Sequence, residues 1–300
     1  MNALALTTTG EDIVSVDRGR REARRRTRVG SRSFYFASFA LPAERRDAAY
    51  ALYAFFRGAD DAADAPASSE ERAVRLREVR ASLERAYRGE AITDVEHAVG
   101  WAVRRFGVPR RPLEELLDAV EGDVGRVRMA DMPMLEKYCH GVASTVGLAM
   151  APLLGAPDHA LDGAARLGRA MQLTNILRDV REDLAMDRIY LPADAMAHHG
   201  VTEEALREGR VDPSWRALAG QIAAAAERDY AAAEAGIIAI GPWRSRLTVR
   251  LMRASYREIL RRIVRRDYDV FRERVVVSTA RKLWLASGVL VGADAARVAS

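Results

Sequence analysis

Two acidic segments, far apart in the chain, repeat one arrangement: two aspartates four residues apart, with an arginine just before them. Residues four apart share a helix face, so each segment presents two carboxylates in one direction. Such carboxylates repel each other unless a cation binds between them, and two opposed pairs would form a clamp for a divalent metal. A metal clamp beside arginine suits a diphosphate substrate. The residues are Arg57, Asp60 and Asp64 in the first segment and Arg178, Asp179 and Asp183 in the second.

The second acidic segment ends a longer polar stripe. Gly168, Gln172, Asn175, Asp179 and Asp183 follow one another at helical spacing, with apolar residues on the other side. Asn and Asp are poor helix formers, so they lower helix stability in mid-helix. We expect a bound ligand to compensate for this cost.

The first acidic segment has a similar face, formed by Tyr53, Arg57, Asp60 or Asp61, and Asp64. Carboxylate oxygens suit Mg²⁺, which also binds through substrate phosphates and makes diphosphate a better leaving group. One acidic pair alone is usually a surface salt-bridge face. Two pairs, each with an adjacent arginine and an aligned amide or tyrosine, instead favour a helical, Mg²⁺-dependent diphosphate enzyme.

The composition bounds the fold and the compartment. The chain has 300 residues and is 49% hydrophobic, enough for a sizeable core. The single cysteine, Cys139, excludes an internal disulfide framework and a multi-cysteine zinc site. The first residues lack a signal-peptide pattern, and no apolar run is long enough to span a bilayer. These features predict a cytoplasmic protein.

Helical periodicity without strand runs predicts one all-α domain over 18–290. We expect a mobile tail over 1–17 and a second tail over 291–300. The predicted helices cover 50–63, 70–87, 95–106, 112–124, 134–154, 160–184, 201–206, 213–240 and 243–268.

An arginine-rich run over 18–28 contributes much of the positive charge in a chain of net charge +5. Such a run is usually a solvated helix start, although it can attract an anionic membrane surface. It has no interleaved aromatic residues and no nucleic-acid motif, so nucleic acid is not an expected partner.

Motifs along most of the chain carry a family resemblance. From residue 30 to 285 the chain resembles the squalene and phytoene synthase family, whose members join two prenyl diphosphates head to head. The motifs are Ser31–Tyr35, Ala51–Arg57, Tyr138–Gly147, the second acidic segment from Leu167 to Asp183 with Arg188, Tyr190 and Pro192, then Tyr256, and Tyr268–Arg274.

The resemblance implies an isoprenoid-synthase-type helical bundle around a central apolar cavity, and it implies roles by position. Mg²⁺, for which Mn²⁺ could substitute, would be held by Asp60, Asp64, Asn175, Asp179 and Asp183, with Asp61 and Glu182 as secondary candidates. Diphosphate oxygens would be bound by Arg57, Arg178, Arg274, Ser31 and Ser33. The prenyl channels and reacting carbons would be lined by Phe34, Tyr53, Tyr138, Val142, Ala143, Gly147, Leu148, Gln172, Asn175 and Tyr256.

Three positions depart from the family pattern: Phe56 stands where cysteine is common, and Ser144 and Arg181 each replace a common glycine. None of them removes a proposed ligand. We expect Arg181 to point away from the face shared by Asp179 and Asp183, because each helical residue turns the side chain by about 100°.

The leading interpretation is phytoene synthesis from two geranylgeranyl diphosphates, without NADPH, in carotenoid biosynthesis. It is favoured by the stretch 267–271 and by the bacterial-style length. The alternative is a C30 enzyme that makes presqualene diphosphate, squalene or dehydrosqualene from farnesyl diphosphate. A head-to-tail prenyltransferase is disfavoured because Ala65-Pro66-Ala67 follows Asp64 where that class has Arg-Arg-Gly. A non-catalytic assembly factor would have lost its aspartates.

The substrates and product predict contact with a membrane. Because prenyl chains are apolar, we expect a peripheral protein on the inner face of the membrane, helped by the run over 18–28. The oligomeric state and the exact product stay open.

Overall fold

The chain folds into a helical bundle that follows the predicted apolar periodicity. The computed structural model describes residues 10–122 and 125–290. The first half contains α1 (Gly10–Gly30), α2 (Arg32–Ser38), α3 (Ala43–Asp64), α4 (Ser69–Arg88), α5 (Asp94–Phe106), α6 (Arg110–Glu121), β1 (Val127–Met129), α7 (Met132–Cys139) and α8 (Thr145–Leu154). The second half contains α9 (Leu161–Arg178), α10 (Val180–Ala185), β2 (Arg188–Pro192), α11 (Ala193–His199), α12 (Glu203–Arg207), α13 (Pro213–Ala232), α14 (Glu234–Ala239), α15 (Trp243–Arg265) and α16 (Thr279–Leu290).

Two apolar clusters hold the bundle together. One lies among α3, α5, α6 and α8 and includes the buried Leu52, Phe55 and Leu117. The other lies mainly between α9 and α13 and includes Leu173 and Ile222. Helix α9 packs against both α8 and α13, so its polar stripe faces the space between the two clusters.

The arginine-rich helix α1 is part of the bundle. It packs against α3 and α5, and its Ala23 and Thr27 are fully buried. A Cβ added at Gly19 would lie 2.1 Å from the Asp94 carbonyl oxygen, so the two helices touch backbone to backbone. The helix begins at Gly10, inside the segment that was predicted to be a tail. Residues 1–9 and the predicted tail over 291–300 lie outside the described residues.

The fold is all-α, as predicted, with two short strands that the sequence pattern did not indicate. Strands β1 and β2 pair in parallel, with Val127 opposite Arg188 and Arg128 opposite Ile189. This pairing buries Arg188 and fixes it beside the acidic residues. None of the described helices is both long enough and apolar enough to cross a bilayer.

Two long predicted helices are interrupted near the polar stripe. The predicted helix 134–154 contains a π-helical segment, His140–Ser144, between α7 and α8. The predicted helix 160–184 breaks at Asp179, where φ is −105° and ψ is 13°. Segments of π-helix occur frequently at functional sites because they shift side chains out of register.

The π-helical segment and α9 approach each other unusually closely. A Cβ added at Gly168 would lie 2.3 Å from the Ala143 carbonyl oxygen, and one added at Gly147 would lie 2.5 Å from the Ala164 carbonyl oxygen. The Ser144 hydroxyl donates to the Ala165 carbonyl oxygen across the same contact, at 2.7 Å. Only glycine fits at the two crossing points.

We therefore expect Gly168→Ala to destabilise the protein by about 1–3 kcal/mol, because the neighbour is backbone and cannot rotate away. The matched control is Gly58→Ala in α3, where an added Cβ meets nothing within 4 Å among the described residues. That variant should gain about 0.5–1 kcal/mol, since alanine favours helix. Chemical denaturation measures both, and equal stability of the two variants would contradict the close crossing.

Candidate active site

An apolar cavity of about 300 Å³ opens between α3, α8, α9, α14 and α15. Most of the residues predicted to line the prenyl channels lie on its wall, since α9 and the π-helical segment turn their small residues toward it. The predicted residues on the wall are Ser31, Phe34, Tyr53, Val142, Ala143, Gly147, Gln172, Asn175 and Tyr256.

The first acidic group lies in the last turn of α3. Asp60, Asp61 and Asp64 are exposed there, and the helix has no basic residue in that turn. Negative charge at a helix C-terminus is unfavourable, because the helix dipole is already negative at that end. Arg57 partly compensates by an ion pair with Asp61, its Nη2 lying 2.7 Å from Oδ1. Three carboxylates at this position therefore indicate a site for cations.

The second acidic group lies where α9 gives way to α10. Two arginines contact the Asp179 carboxylate: Arg178 donates through Nε to Oδ1 at 2.7 Å, and Arg274 through Nε to Oδ1 at 2.9 Å and through Nη2 to Oδ2 at 3.1 Å. Burial acts to raise the pKa of Asp179, but these hydrogen bonds hold it below its usual value. Asp179 is thus an anion that brings together two of the three predicted diphosphate-binding arginines, Arg178 and Arg274.

The neighbouring Asp183 is in the opposite electrostatic situation. Burial, followed by the negative charge of Asp179, raises the pKa of Asp183 to about 7. Two carboxylates this close form a site that a divalent cation would stabilise in its fully ionised form.

A buried arginine joins the two acidic groups. Arg188 of β2 donates from Nη1 to Asp64 Oδ1 at 2.7 Å, and its charge also acts to lower the pKa of Asp183. It lines one cavity with Asp183 and another with Asp64. The two carboxylate faces therefore meet around one cation instead of lying on opposite surfaces.

The polar end of the cavity carries an unsatisfied oxygen. Asn175 donates its side-chain amide to Gln172 Oε1 at 3.2 Å, while its own buried Oδ1 has no hydrogen-bond partner among the described residues. An orphaned buried carbonyl is costly, and it is a suitable ligand for a hard cation. Asn175 lies one helical turn before Asp179 along α9.

These donors suit a cation that is shared with a ligand. Within 10–122 and 125–290, no three His, Cys, Asp or Glu side chains converge to hold a metal by themselves. Mg²⁺ commonly binds through one or two carboxylates, with water and substrate phosphates completing its shell. Two opposed carboxylate pairs and an orphaned amide oxygen fit that pattern.

Aromatic rings surround the polar end of the cavity. Phe34 stacks on Tyr53, with ring centroids 5.5 Å apart. Burial raises the pKa of Tyr53 to about 12, and burial also raises that of Tyr256. Both phenols therefore stay neutral and offer ring faces and hydroxyl groups to the cavity.

Some predicted site residues lie elsewhere. Tyr138 does not line the cavity, because it lies on α7 before the π-helical segment and stacks on Tyr190 of β2 at 4.7 Å. Ser33 and Leu148 are also outside the cavity wall, whereas Ser31 caps α2 by accepting from the Phe34 amide. Arg181 donates to the backbone oxygens of residues 271 and 272, which ties α10 to the segment that carries Arg274.

The role of Arg188 was missed from the sequence, where it appeared only as part of a motif. The available signal was a single charged residue beside the apolar run Ile189-Tyr190-Leu191. An arginine that is buried with such a run is almost always paired.

Comparison with known proteins identifies the family of this chain. A model of the squalene/phytoene synthase family matches residues 27–281. Phytoene synthase of Thermus thermophilus is 39% identical over 244 residues, which cover 81% of this chain and 82% of that protein. The chain belongs to the squalene/phytoene synthase family. As a member of that family it is an enzyme, a prenyltransferase.

Solved structures of family members share the fold. A dehydrosqualene synthase superposes with a TM-score of 0.87 at 30% identity, covering 95% of this chain and 99% of that one. A squalene synthase from Alicyclobacillus acidocaldarius superposes with a TM-score of 0.79 at 26% identity, covering 85% of this chain and 97% of that one. The family members compared thus include both phytoene and C30 enzymes.

The electrostatics around Asp183 predict two opposite pKa shifts in metal-free protein. Arg188→Gln removes a favourable charge and should raise the pKa of Asp183 above 7, whereas Asp179→Asn removes a repulsive charge and should lower it. Carboxyl ¹³C NMR across a pH titration measures both. If both variants shifted the pKa of Asp183 in the same direction, or if that pKa were near 4 in the wild type, Arg188 and Asp179 would not both act on Asp183.

Proposed function

We propose that this enzyme condenses two geranylgeranyl diphosphates head to head to give phytoene, with release of diphosphate. The observation that carries the proposal is the meeting of two carboxylate faces around Arg188 at the polar end of an apolar cavity. Phytoene synthases among the relatives favour the C20 substrate. The cavity suits the prenyl chains, and the acidic end suits the diphosphates.

The first step is loss of diphosphate from one allylic substrate. Mg²⁺, held by Asp60, Asp64, Asn175, Asp179 and Asp183, would neutralise the diphosphate and improve it as a leaving group. Arg57, Arg178 and Arg274 would hold its oxygens, exchanging carboxylate partners for phosphate. Asp61 and Glu182 stand nearby as further oxygen donors.

The carbon chemistry that follows takes place in the cavity. The double bond of the second substrate attacks the allylic cation, and loss of a proton from the resulting cation closes the ring of a cyclopropylcarbinyl diphosphate. A second ionisation, rearrangement and proton loss then give the hydrocarbon. Phe34, Tyr53 and Tyr256 present aromatic faces that stabilise cations, and the apolar wall excludes water that would quench them.

A C30 reaction is the second candidate. The dehydrosqualene synthase structure, which superposes over nearly the whole chain, supports condensation of two farnesyl diphosphates by the same site. The two reactions differ in the length of chain that the cavity accepts, and squalene formation would also require NADPH.

The direct experiment is incubation with Mg²⁺ and either C15 or C20 diphosphate, with and without NADPH, followed by mass analysis of the product. The proposal expects a C40 hydrocarbon from the C20 substrate without NADPH. If a C30 product formed preferentially, the C30 reaction would replace phytoene synthesis as the proposed function. No condensed product from either substrate would overturn both.

The metal assignment predicts the effect of neutralising one carboxylate. Asp179→Asn should lower turnover at least about a hundredfold, because a preorganised charge at the leaving group is lost. The matched control is Asp118→Asn, which neutralises an aspartate paired with Arg80 on the surface of α6. Steady-state kinetics with a circular-dichroism check of folding measure both, and an active Asp179→Asn enzyme would contradict the assignment.

A further inference from the structure

Three turns meet at the end of the bundle away from the carboxylates. They are the α2–α3 turn at 39–42, the turn after α8 at 155–157, and the α14–α15 turn at 240–242. Arg244 donates from Nε to the Ala40 carbonyl oxygen at 2.7 Å, and the Gly241 amide donates to the Gly155 carbonyl oxygen at 3.4 Å. Gly155 has φ +72°, and an added Cβ would lie 2.9 Å from Pro242. The turns therefore form one packed surface.

The apolar cavity ends beneath this surface. Each of the three turns supplies residues to the cavity wall: Leu41, Ala156 and Ile240. Along α9 the wall runs from Asn175 back to Gly163, about 18 Å at 1.5 Å per residue. The end of a long prenyl chain therefore points at the three turns when its diphosphate lies at the carboxylates.

Large apolar side chains project outward from the same turns. Trp243 is 63% exposed, Ile238 is 53% exposed and Phe39 is 50% exposed. Ile238 and Trp243 flank the α14–α15 turn, where Arg246 donates from Nη1 to the Ile238 carbonyl oxygen at 3.0 Å, and Arg244, next to Trp243, donates to Ala40, next to Phe39. Clustered exposed apolar residues mark a site of interaction.

Arginines accompany these apolar side chains. The Arg46 guanidinium lies 5.8 Å from the Phe39 ring and that of Arg244 lies 5.9 Å from the Trp243 ring. The nearby carboxylate of Glu44 is already paired with Arg105. Asp158, exposed after the second turn, opposes the arginines as a single negative charge. Aromatic rings beside arginine match the chemistry of an anionic lipid interface.

We propose that this surface, the turn-end patch of Phe39, Ile238, Trp243, Arg46 and Arg244, docks onto an anionic membrane and points the closed end of the cavity at the acyl chains. The docking deepens the proposed function, since an apolar chain and its hydrocarbon product would then lie next to lipid. The aromatic rings enter the interface and the guanidinium groups bind lipid phosphates.

The patch replaces the arginine-rich run over 18–28 as the expected membrane contact. Several arginines of that run already have carboxylate partners on the protein surface: Arg18 pairs with Asp94, and Arg25 and Arg26 pair with Glu22. Arg21 and Arg28 are exposed and provide a test of the rival surface.

Vesicle sedimentation tests the docking. Phe39→Ser/Trp243→Ser should bind vesicles of phosphatidylcholine with phosphatidylglycerol at least about tenfold more weakly than wild type, because each ring loses interfacial burial. The matched control is Trp284→Ser, which removes another tryptophan that is 53% exposed and lies beside Arg281. That control and Arg21→Gln/Arg28→Gln should bind like wild type.

Bromolipid quenching provides a second measurement that does not depend on a disruptive variant. The chain has four tryptophans. Brominated lipid should quench wild-type fluorescence, and the quenching should be lost in Trp243→Phe and kept in Trp284→Phe. Quenching that survives in Trp243→Phe would overturn the proposal.

The membrane-docking proposal and the proposed reaction are tested by separate measurements. Asp179→Asn should bind vesicles like wild type although its turnover is at least about a hundredfold lower. Phe39→Ser/Trp243→Ser should turn over substrate dissolved in detergent. Wild-type binding by the double variant, loss of binding in Arg21→Gln/Arg28→Gln alone, or no binding of wild type to anionic vesicles would each overturn the docking surface.

Discussion

Repulsion between carboxylates at the polar end of an apolar cavity is the constraint on which the site depends. Burial and the negative charge of Asp179 raise the pKa of Asp183 to about 7, and the α3 aspartates occupy the negative end of a helix. Arg188 and Arg274 supply positive charge there. Metal ions bound together with a diphosphate would neutralise these carboxylates, and the apolar cavity would hold the attached prenyl chain.

The sequence indicated the candidate site residues, but it did not indicate all of the geometry that brings them together. Helical spacing identified both aspartate pairs and the stripe from Gly168 to Asn175, because those features depend on local periodicity alone. The break at Asp179 was missed, since spacing assumes an uninterrupted helix. The function of Arg188 was missed because its burial depends on a parallel pairing with β1, a contact between residues far apart in the chain.

The arginine-rich run is a helix with most of its arginines exposed, as its sequence suggested. What the sequence did not indicate is that α1 packs one face on α3 and α5 and that several of its arginines pair with carboxylates. The exposed aromatic residues around Trp243 come from turns separated by some two hundred residues, so only the fold brings them together. The carboxylates and the turn-end patch thus lie at the two ends of one cavity.

The most direct test of the central claim is calorimetric titration of Mg²⁺ into the protein with and without inorganic pyrophosphate. If the two carboxylate faces share metal ions with a diphosphate, Mg²⁺ should bind weakly alone and at least about tenfold more tightly with pyrophosphate. The same Mg²⁺ affinity with and without pyrophosphate, once binding of Mg²⁺ to free pyrophosphate is subtracted, would contradict the account.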